Sequence, residues 1–458
     1  MIKGEIFSLS FQKSELREEI FRLSLPAVGE MFLHLLLINA DTLMIGQLSA
    51  SSAALAAVGL SKQISGIMTI VLFALATGTI ALVSRYIGAK DYKSASKVAN
   101  QSLLIGFVLS TVILIIGVIF AKDFLNLLGA EPEVLKVGPG YLKWIFASLL
   151  PSGLMIIGGN IIRGCGDTKF PMIATAVMNG INILLNWLLI FGVFFFPKLG
   201  VMGAGLATFL ARLAGVTIIL SVIVIKDLGV NLKLKHIFSF DKITLTKIFK
   251  IGIPSGLERL AFKGGQLVVI RVIAILGTVA VATRQISLAI ETFSTLPSHG
   301  LSIAATTLVG QKLGADSESE AETGSLMANK FGVLATIIMG IIFYLFAEKL
   351  AGFYTDDPKL IKEAAFSLRI LALAQPAKAL NMILGGSFRG AGDTKFPMYL
   401  TFIGVWGLAL PLTYFLGVYF SFGLAGVWWA MVADEWFRAI VCIYRFRSEK
   451  WKQIKIES

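Results

Sequence analysis

Long apolar runs alternate with short polar connections along almost the whole chain. Runs of about 18 or more mostly apolar residues predict membrane-spanning helices, because about 20 residues cross the hydrocarbon core and a helix bonds its own backbone there. The expected spans lie near residues 20–45, 54–84, 98–120, 138–162, 171–196 and 201–225, then 248–275, 279–308, 324–347, 364–388, 397–419 and 424–444. A membrane β-barrel would alternate over short segments, and these runs are continuous. The N-terminus is polar and charged up to Arg22, so no cleavable leader is expected. The predicted fold class is all-α: a polytopic membrane protein of twelve transmembrane helices.

The polar connections carry a repeat. Arg163-Gly-Cys-Gly-Asp-Thr-Lys-Phe-Pro-Met172 returns as Arg389-Gly-Ala-Gly-Asp-Thr-Lys-Phe-Pro-Met398, with only Cys165 changed, to alanine. The chain therefore reads as a duplication. Residues 1–225 form an N-terminal six-helix lobe, 226–247 a cytoplasmic linker with five lysines, and 248–458 a C-terminal six-helix lobe. The N-terminus, the connections after the even-numbered spans and the C-terminus hold roughly 24 Lys and Arg, against roughly 6 on the other side, which places both termini in the cytoplasm. Six spans per half insert both halves the same way up, as pseudo-twofold-related lobes with a solute path expected between them. In the connectors, the Asp-Thr pair can cap the next helix and the Pro falls in its first turn. Arg163, Asp167, Arg389 and Asp393 are thus expected to be structural, tying their loops to nearby backbone.

Composition agrees. Hydrophobic residues are 56% and charged residues 15%, and mean hydropathy is +0.80. The net charge of +13 is explained by the cytoplasmic connections, so no nucleic-acid partner is expected. Two cysteines, Cys165 and Cys442, and three histidines make neither a disulfide framework nor a metal site. The expected setting is the cell membrane, as a multi-pass monomer whose partners are the bilayer and a small organic solute.

Polar residues inside the spans each need a reason. Glu30, His34 and Asp41 share one face of span 1, at about 0°, 40° and 20° around a helix of 3.6 residues per turn. Asn182 and Asn186 share a face of span 5, and Thr208 of span 6 adds an oxygen. The duplication gives an internal control. Pro26-Ala-Val-Gly-Glu30 matches Pro254-Ser-Gly-Leu-Glu258, so Glu30 has a counterpart in Glu258. His34 falls on Phe262, Asp41 on Val269, and the two asparagines near Leu408 and Leu412. A polar set confined to one half is not demanded by the shared scaffold. Packing of a neutral His34 and interhelical hydrogen bonds of the asparagines are competing structural roles. The second half has charges of its own, among them Glu258, Arg284, Glu291, Lys378 and Asp434, whose mixed signs predict pairing within that half. Glu258 with Lys378 is the expected pair.

Asn39-Ala-Asp-Thr-Leu-Met-Ile-Gly46, the Arg-Gly-x-Gly-Asp-Thr connectors, Gly310-Gln-Lys-Leu-Gly-Ala315 and the six-plus-six duplication resemble the multidrug and toxic compound extrusion (MATE) family over about residues 15–450. The resemblance implies two six-helix lobes forming a V, and exchange of organic, often cationic, solutes for H⁺ or Na⁺. It implies that Asp41 is the ion-coupling carboxylate, with Asn182, Asn186 and Thr208 as partners. Some members carry Asp where this chain has Asn186, so the site here has one negative charge fewer. Other members hold a cation in the second lobe, on a Glu matched here by Glu258 and an Asp matched by Lys378. An ammonium offers no ligand oxygen, which argues against Na⁺ there. No cofactor is expected beyond the coupling ion, H⁺ ahead of Na⁺. Glu30, His34, Glu258, Arg284, Glu291 and Lys378 remain secondary or cavity candidates.

Two other functions compete with the antiporter. A flippase for a lipid-linked saccharide precursor would share the architecture. An intramembrane aspartyl protease would use Gly-x-Gly-Asp at Asp167 and Asp393, but both lie in basic loops outside the apolar runs. No phosphate loop, zinc motif or nucleotide fingerprint is visible, so an ion gradient is the expected energy source and no enzyme is expected.

Overall fold

The structure, a computed structural model, describes residues 2–48, 51–232 and 240–454. Residues 233–239 of the expected linker lie outside the described residues. In order, the helices are α1 (Ile2–Gly46), α2 (Ser51–Gly88), α3 (Tyr92–Ile119), α4 (Ala121–Leu127), α5 (Pro132–Gly164), α6 (Lys169–Phe191) and α7 (Val201–Ile225). There follow α8 (Lys242–Ile275), α9 (Thr278–Gly314), α10 (Glu318–Gly352), α11 (Pro358–Ala372), α12 (Gln375–Ala391), α13 (Lys395–Tyr419) and α14 (Gly423–Arg447). No strand occurs among the described residues.

The chain is an all-α, multi-pass membrane protein. Among the described residues, eight helices are long and apolar enough to cross a membrane: α1 from Ser14, α2 from Ser52, α3, α5, α6, α7, α10 and α13. The other four expected spans fall on α8, α9, the α11–α12 pair and α14. These are the helices that carry the interior charges of the second half, such as Lys263, Arg284, Lys378 and Asp434. Their lower apolarity has a chemical cause, since each such side chain is expensive in hydrocarbon unless it is bonded.

Two expected spans differ in detail. The continuous helix expected over 364–388 is broken at Leu373 and Ala374. Pro376, in the first turn of α12, has no N–H to give to the end of α11, so the ladder stops there. The span expected over 397–419 contains two π-helical stretches, Phe402–Ala409 and Phe415–Tyr419. Its counterpart α6 is regular throughout.

The chain forms two compact units, Gly29–Gly252 and Met1–Val28 with Ile253–Ser458. The first takes in the described part of the expected linker and the start of α8, while α1 up to Val28 belongs to the second. Close glycine contacts hold each of these ends. A Cβ on Gly252 would fall 2.6 Å from Ala74 O, within the first unit. A Cβ on Gly300 would fall 2.7 Å from Ser24 O, within the second. Small residues at these crossings allow the backbones to meet.

Outside the membrane, the start of α8 is pinned by Asp241. Lys97 Nζ lies 2.6 Å from Asp241 Oδ2, the Thr244 hydroxyl donates to the same oxygen, and Ile243 N donates to Oδ1 at 3.3 Å. These donors, Lys97 first, pull the Asp241 carboxyl from an ordinary 3.8 to about 2. A carboxyl depressed in the folded state adds stability above its unfolded value and loses it as pH falls through the folded one. The thermal midpoint of the wild type should therefore exceed that of Asp241→Asn by a constant amount above about pH 4. The gap should close between about pH 4 and about pH 2. A gap that keeps its size across that window would show that Asp241 does not make this contribution.

Candidate functional site

In the unit Gly29–Gly252, three helices bring oxygen and nitrogen groups together. Asp167 caps α6 by accepting from Lys169 N at 2.8 Å and Phe170 N at 3.3 Å, and Gly192 ends it in a left-handed conformation. The i, i+4 spacing then puts Asn182 and Asn186 on one buried face. Thr208 on α7 gives its own hydroxyl hydrogen to Ala204 O at 2.8 Å, leaving its oxygen free to accept.

The result is a line of hydrogen bonds. Asn186 Nδ2 donates to Asp41 Oδ1 at 2.6 Å and to Asn182 Oδ1 at 2.9 Å, and Asn182 Nδ2 lies 3.4 Å from Thr208 Oγ1. Asn186 Oδ1 is buried without a partner. Asp41 itself is half-buried, on the last turns of α1. It forms no ion pair among the described residues, although Lys62 and Arg212 are close enough to act on it electrostatically. Lys62 Nζ donates to Thr42 Oγ1 at 3.3 Å, and Arg212 Nη1 donates to Ser148 Oγ at 2.8 Å.

Arg212, Lys62 and the buried Tyr141, which also senses Asp41, were not foreseen from sequence. A signal for Arg212 existed. It follows Thr208 by four residues on α7, so it lies on the same helix face.

The face of span 1 divides its work. Glu30 is buried and meets Arg163 Nη2 through both carboxylate oxygens at 2.6 Å, with Thr175 Oγ1 3.4 Å away. His34 is half-buried between Glu30 and Asp41 in the helix, within the electrostatic reach of Glu30, Arg163 and Arg212. Asn179 Nδ2 donates to Leu33 O at 2.6 Å and holds this part of α1 against α6.

The connector arginines, expected to tie their loops to nearby backbone, each meet a carboxylate. Arg163 takes Glu30, and in the other unit Arg389 faces Glu258 at 3.7 Å. Glu30 and Glu258 are duplicates, as are the two arginines, so the ion pair is itself duplicated. The connector aspartates differ. Asp167 adds Lys226 at 3.1 Å to its capping bonds, and Asp393 accepts from Arg445 at 2.7 and 3.0 Å.

In the unit Met1–Val28 with Ile253–Ser458, the expected Glu258–Lys378 pair does not form. Lys378 Nζ instead bonds Glu291. Gln375 and Lys378, at i and i+3 on α12, both reach residues of α9. Gln375 Nε2 donates to Glu291 Oε1 at 3.1 Å, and Ser294 Oγ donates to Gln375 Oε1 at 2.7 Å. Arg438 pairs with Asp434 at 2.8 Å and Glu435 at 2.9 Å, and Asn381 Nδ2 donates to Glu435 Oε2 at 2.7 Å. Arg284 donates to Gln266 Oε1 at 2.8 Å.

Comparison with known proteins matches both halves. Residues 26–188 and 254–415 each fit the family model described as MatE. The chain is 33% identical over 442 residues to the probable multidrug resistance protein NorM of Thermotoga maritima, across 96% of this chain and 94% of that one. It is 34% identical over 438 residues to the uncharacterized transporter YisQ of Bacillus subtilis, across 95% of each. A solved structure described as the outward-facing conformation of a multidrug resistance MATE family transporter of the MOP superfamily superposes with a TM-score of 0.89 at 26% identity. That match covers 96% of this chain and 97% of the other.

Proposed function

The chain belongs to the MatE family of membrane transporters, and from that premise we propose that it is an antiporter exporting small organic, cationic drug-like solutes in exchange for H⁺. The observation that carries the coupling is the arrangement around Asp41. A half-buried carboxylate hydrogen-bonded by Asn186, and without an ion pair among the described residues, can take up and release a proton without breaking a salt bridge. The acids of the second half are placed otherwise. Glu258 faces Arg389 and Glu291 bonds Lys378, so each already has a cation. A carboxylate so neutralised is a poor ligand for Na⁺, which also prefers several oxygens. Asn182, Asn186 and Thr208 hold Asp41 in place and supply its polar surroundings. Both termini lie in the cytoplasm in this reading, by the bias of Lys and Arg among the connections. The multidrug resistance names of the relatives do not favour the saccharide flippase.

Reconstituted proteoliposomes test the ion. An imposed pH gradient alone should drive transport of a cationic dye, and an Na⁺ gradient at equal pH on both sides should give no more than protein-free vesicles. Transport on Na⁺ alone, removed by Glu258→Gln and kept by Asp41→Asn, would move the coupling to the other half.

A further inference from the structure

Arg284 is 4% exposed, on the second turn of α9. Its Nη2 donates to Gln266 Oε1 of α8, its Nε is buried without a partner, and no ion pair reaches it among the described residues. Glu291 acts on it electrostatically, but the acids of this unit named above each face another cation. Glu291, two turns further along α9, is held by Lys378, Glu258 by Arg389, and Asp434 and Glu435 by Arg438. Lys263 lies one turn before Gln266 on the same face of α8, is exposed, and also forms no ion pair among the described residues. Arg271, near the end of α8, is a third such cation.

A guanidinium buried in a membrane span without a bonded anion is strongly unfavourable, and one neutral amide and a carboxylate already bonded to Lys378 do little to offset it. The free edge of the fork offers N–H groups in the geometry that suits a planar or tetrahedral oxyanion. Lys263, one turn before Gln266 on α8, adds an exposed positive charge on the face that bonds Arg284. We propose that Arg284, Gln266 and Lys263 form a binding site for one anionic group, the carboxylate or sulfonate of an amphipathic organic solute. The site lies wholly within α8 and α9, apart from the Asp41 line. It adds to the exporter reading a zwitterionic solute, a cation that also carries one acidic group, and rests on that reading only for the solute's later transport.

Binding of rhodamine B and of its ethyl ester tests this, since the two dyes differ only in the free carboxylate. Fluorescence anisotropy would be followed on the purified full-length protein in a neutral detergent, without any ion gradient. The wild type should bind the acid more tightly than the ester. Arg284→Gln should weaken the acid about tenfold or more and change the ester less than about twofold, the loss expected for a hydrogen-bonded charge pair. Lys263→Gln, an exposed position that leaves the fold unchanged, should weaken the acid about threefold. Equal affinity of the wild type for both dyes, or equal losses for both dyes in either variant, would overturn the proposal. Displacement of rhodamine B by an equimolar amount of phosphatidylglycerol would also overturn it, by making a lipid headgroup the occupant. Asp41→Asn should keep the preference for the acid, so a failure of proton coupling and a failure of this site are separate results.

Discussion

Asp41→Asn should reduce proton-driven export to the level of protein-free vesicles while leaving the chain folded in the membrane. The substitution removes the titrating group and almost nothing else. Asn186 Nδ2 still finds an oxygen at the position of Asp41 Oδ1, where it now donates at 2.6 Å. Asn182 and Thr208 keep their contacts with Asn186 and α7. The change in stability should stay within about 1 kcal/mol, the size of one neutral hydrogen bond. Two readouts are needed on the same preparation: dye export under an imposed pH gradient, and the thermal midpoint in detergent. Export at the wild-type rate by a folded Asp41→Asn protein would remove Asp41 from the coupling step. A collapsed thermal midpoint would instead make Asp41 a structural residue.

Much of this arrangement was legible along the chain, for reasons that depend on period. The i, i+4 spacing of Asn182 and Asn186 and the shared face of Glu30, His34 and Asp41 follow from helical geometry alone. They needed only an unbroken helix, and α1 and α6 are unbroken. The pairing of Lys378 was misread because opposite charge does not say which acid a lysine reaches: Lys378 bonds Glu291 of α9, and Glu258 faces Arg389. The π-helical stretches of α13 left no mark in a pattern that is apolar on every side. Arg212 was missed for another reason. Its four-residue distance from Thr208 was visible, but its role depends on Asp41 and Ser148, which arrive from other helices. The close approaches at Ser24 of α1 and Gly252 of α8 likewise depend on residues far away in sequence, Gly300 and Ala74.

The two copies of the connector ion pair should differ sharply in their contribution to stability, although their sequences are nearly the same. Glu30 and Arg163 have side chains only 6% and 10% exposed, and Arg163 Nη2 reaches both carboxylate oxygens at 2.6 Å. Glu258 and Arg389 are 20% and 21% exposed and sit 3.7 Å apart, and Arg389 also donates to Ser302 Oγ at 3.3 Å. Removing one member of a buried pair strands the other charge in a medium that solvates it poorly, at about 3–5 kcal/mol. Removing one member of the longer, less buried pair leaves a charge that is less enclosed, and costs less. Glu30→Ala should therefore lower the thermal midpoint and the folded yield severely, and Glu258→Ala only slightly. Replacing both partners, as Glu30→Met with Arg163→Leu, should recover part of the loss, because no charge is left without a counterpart. Equal midpoints for Glu30→Ala and Glu258→Ala would mean that burial does not set the strength of these pairs. A double variant weaker than Glu30→Ala would mean that Arg163 stabilises the fold through contacts other than Glu30.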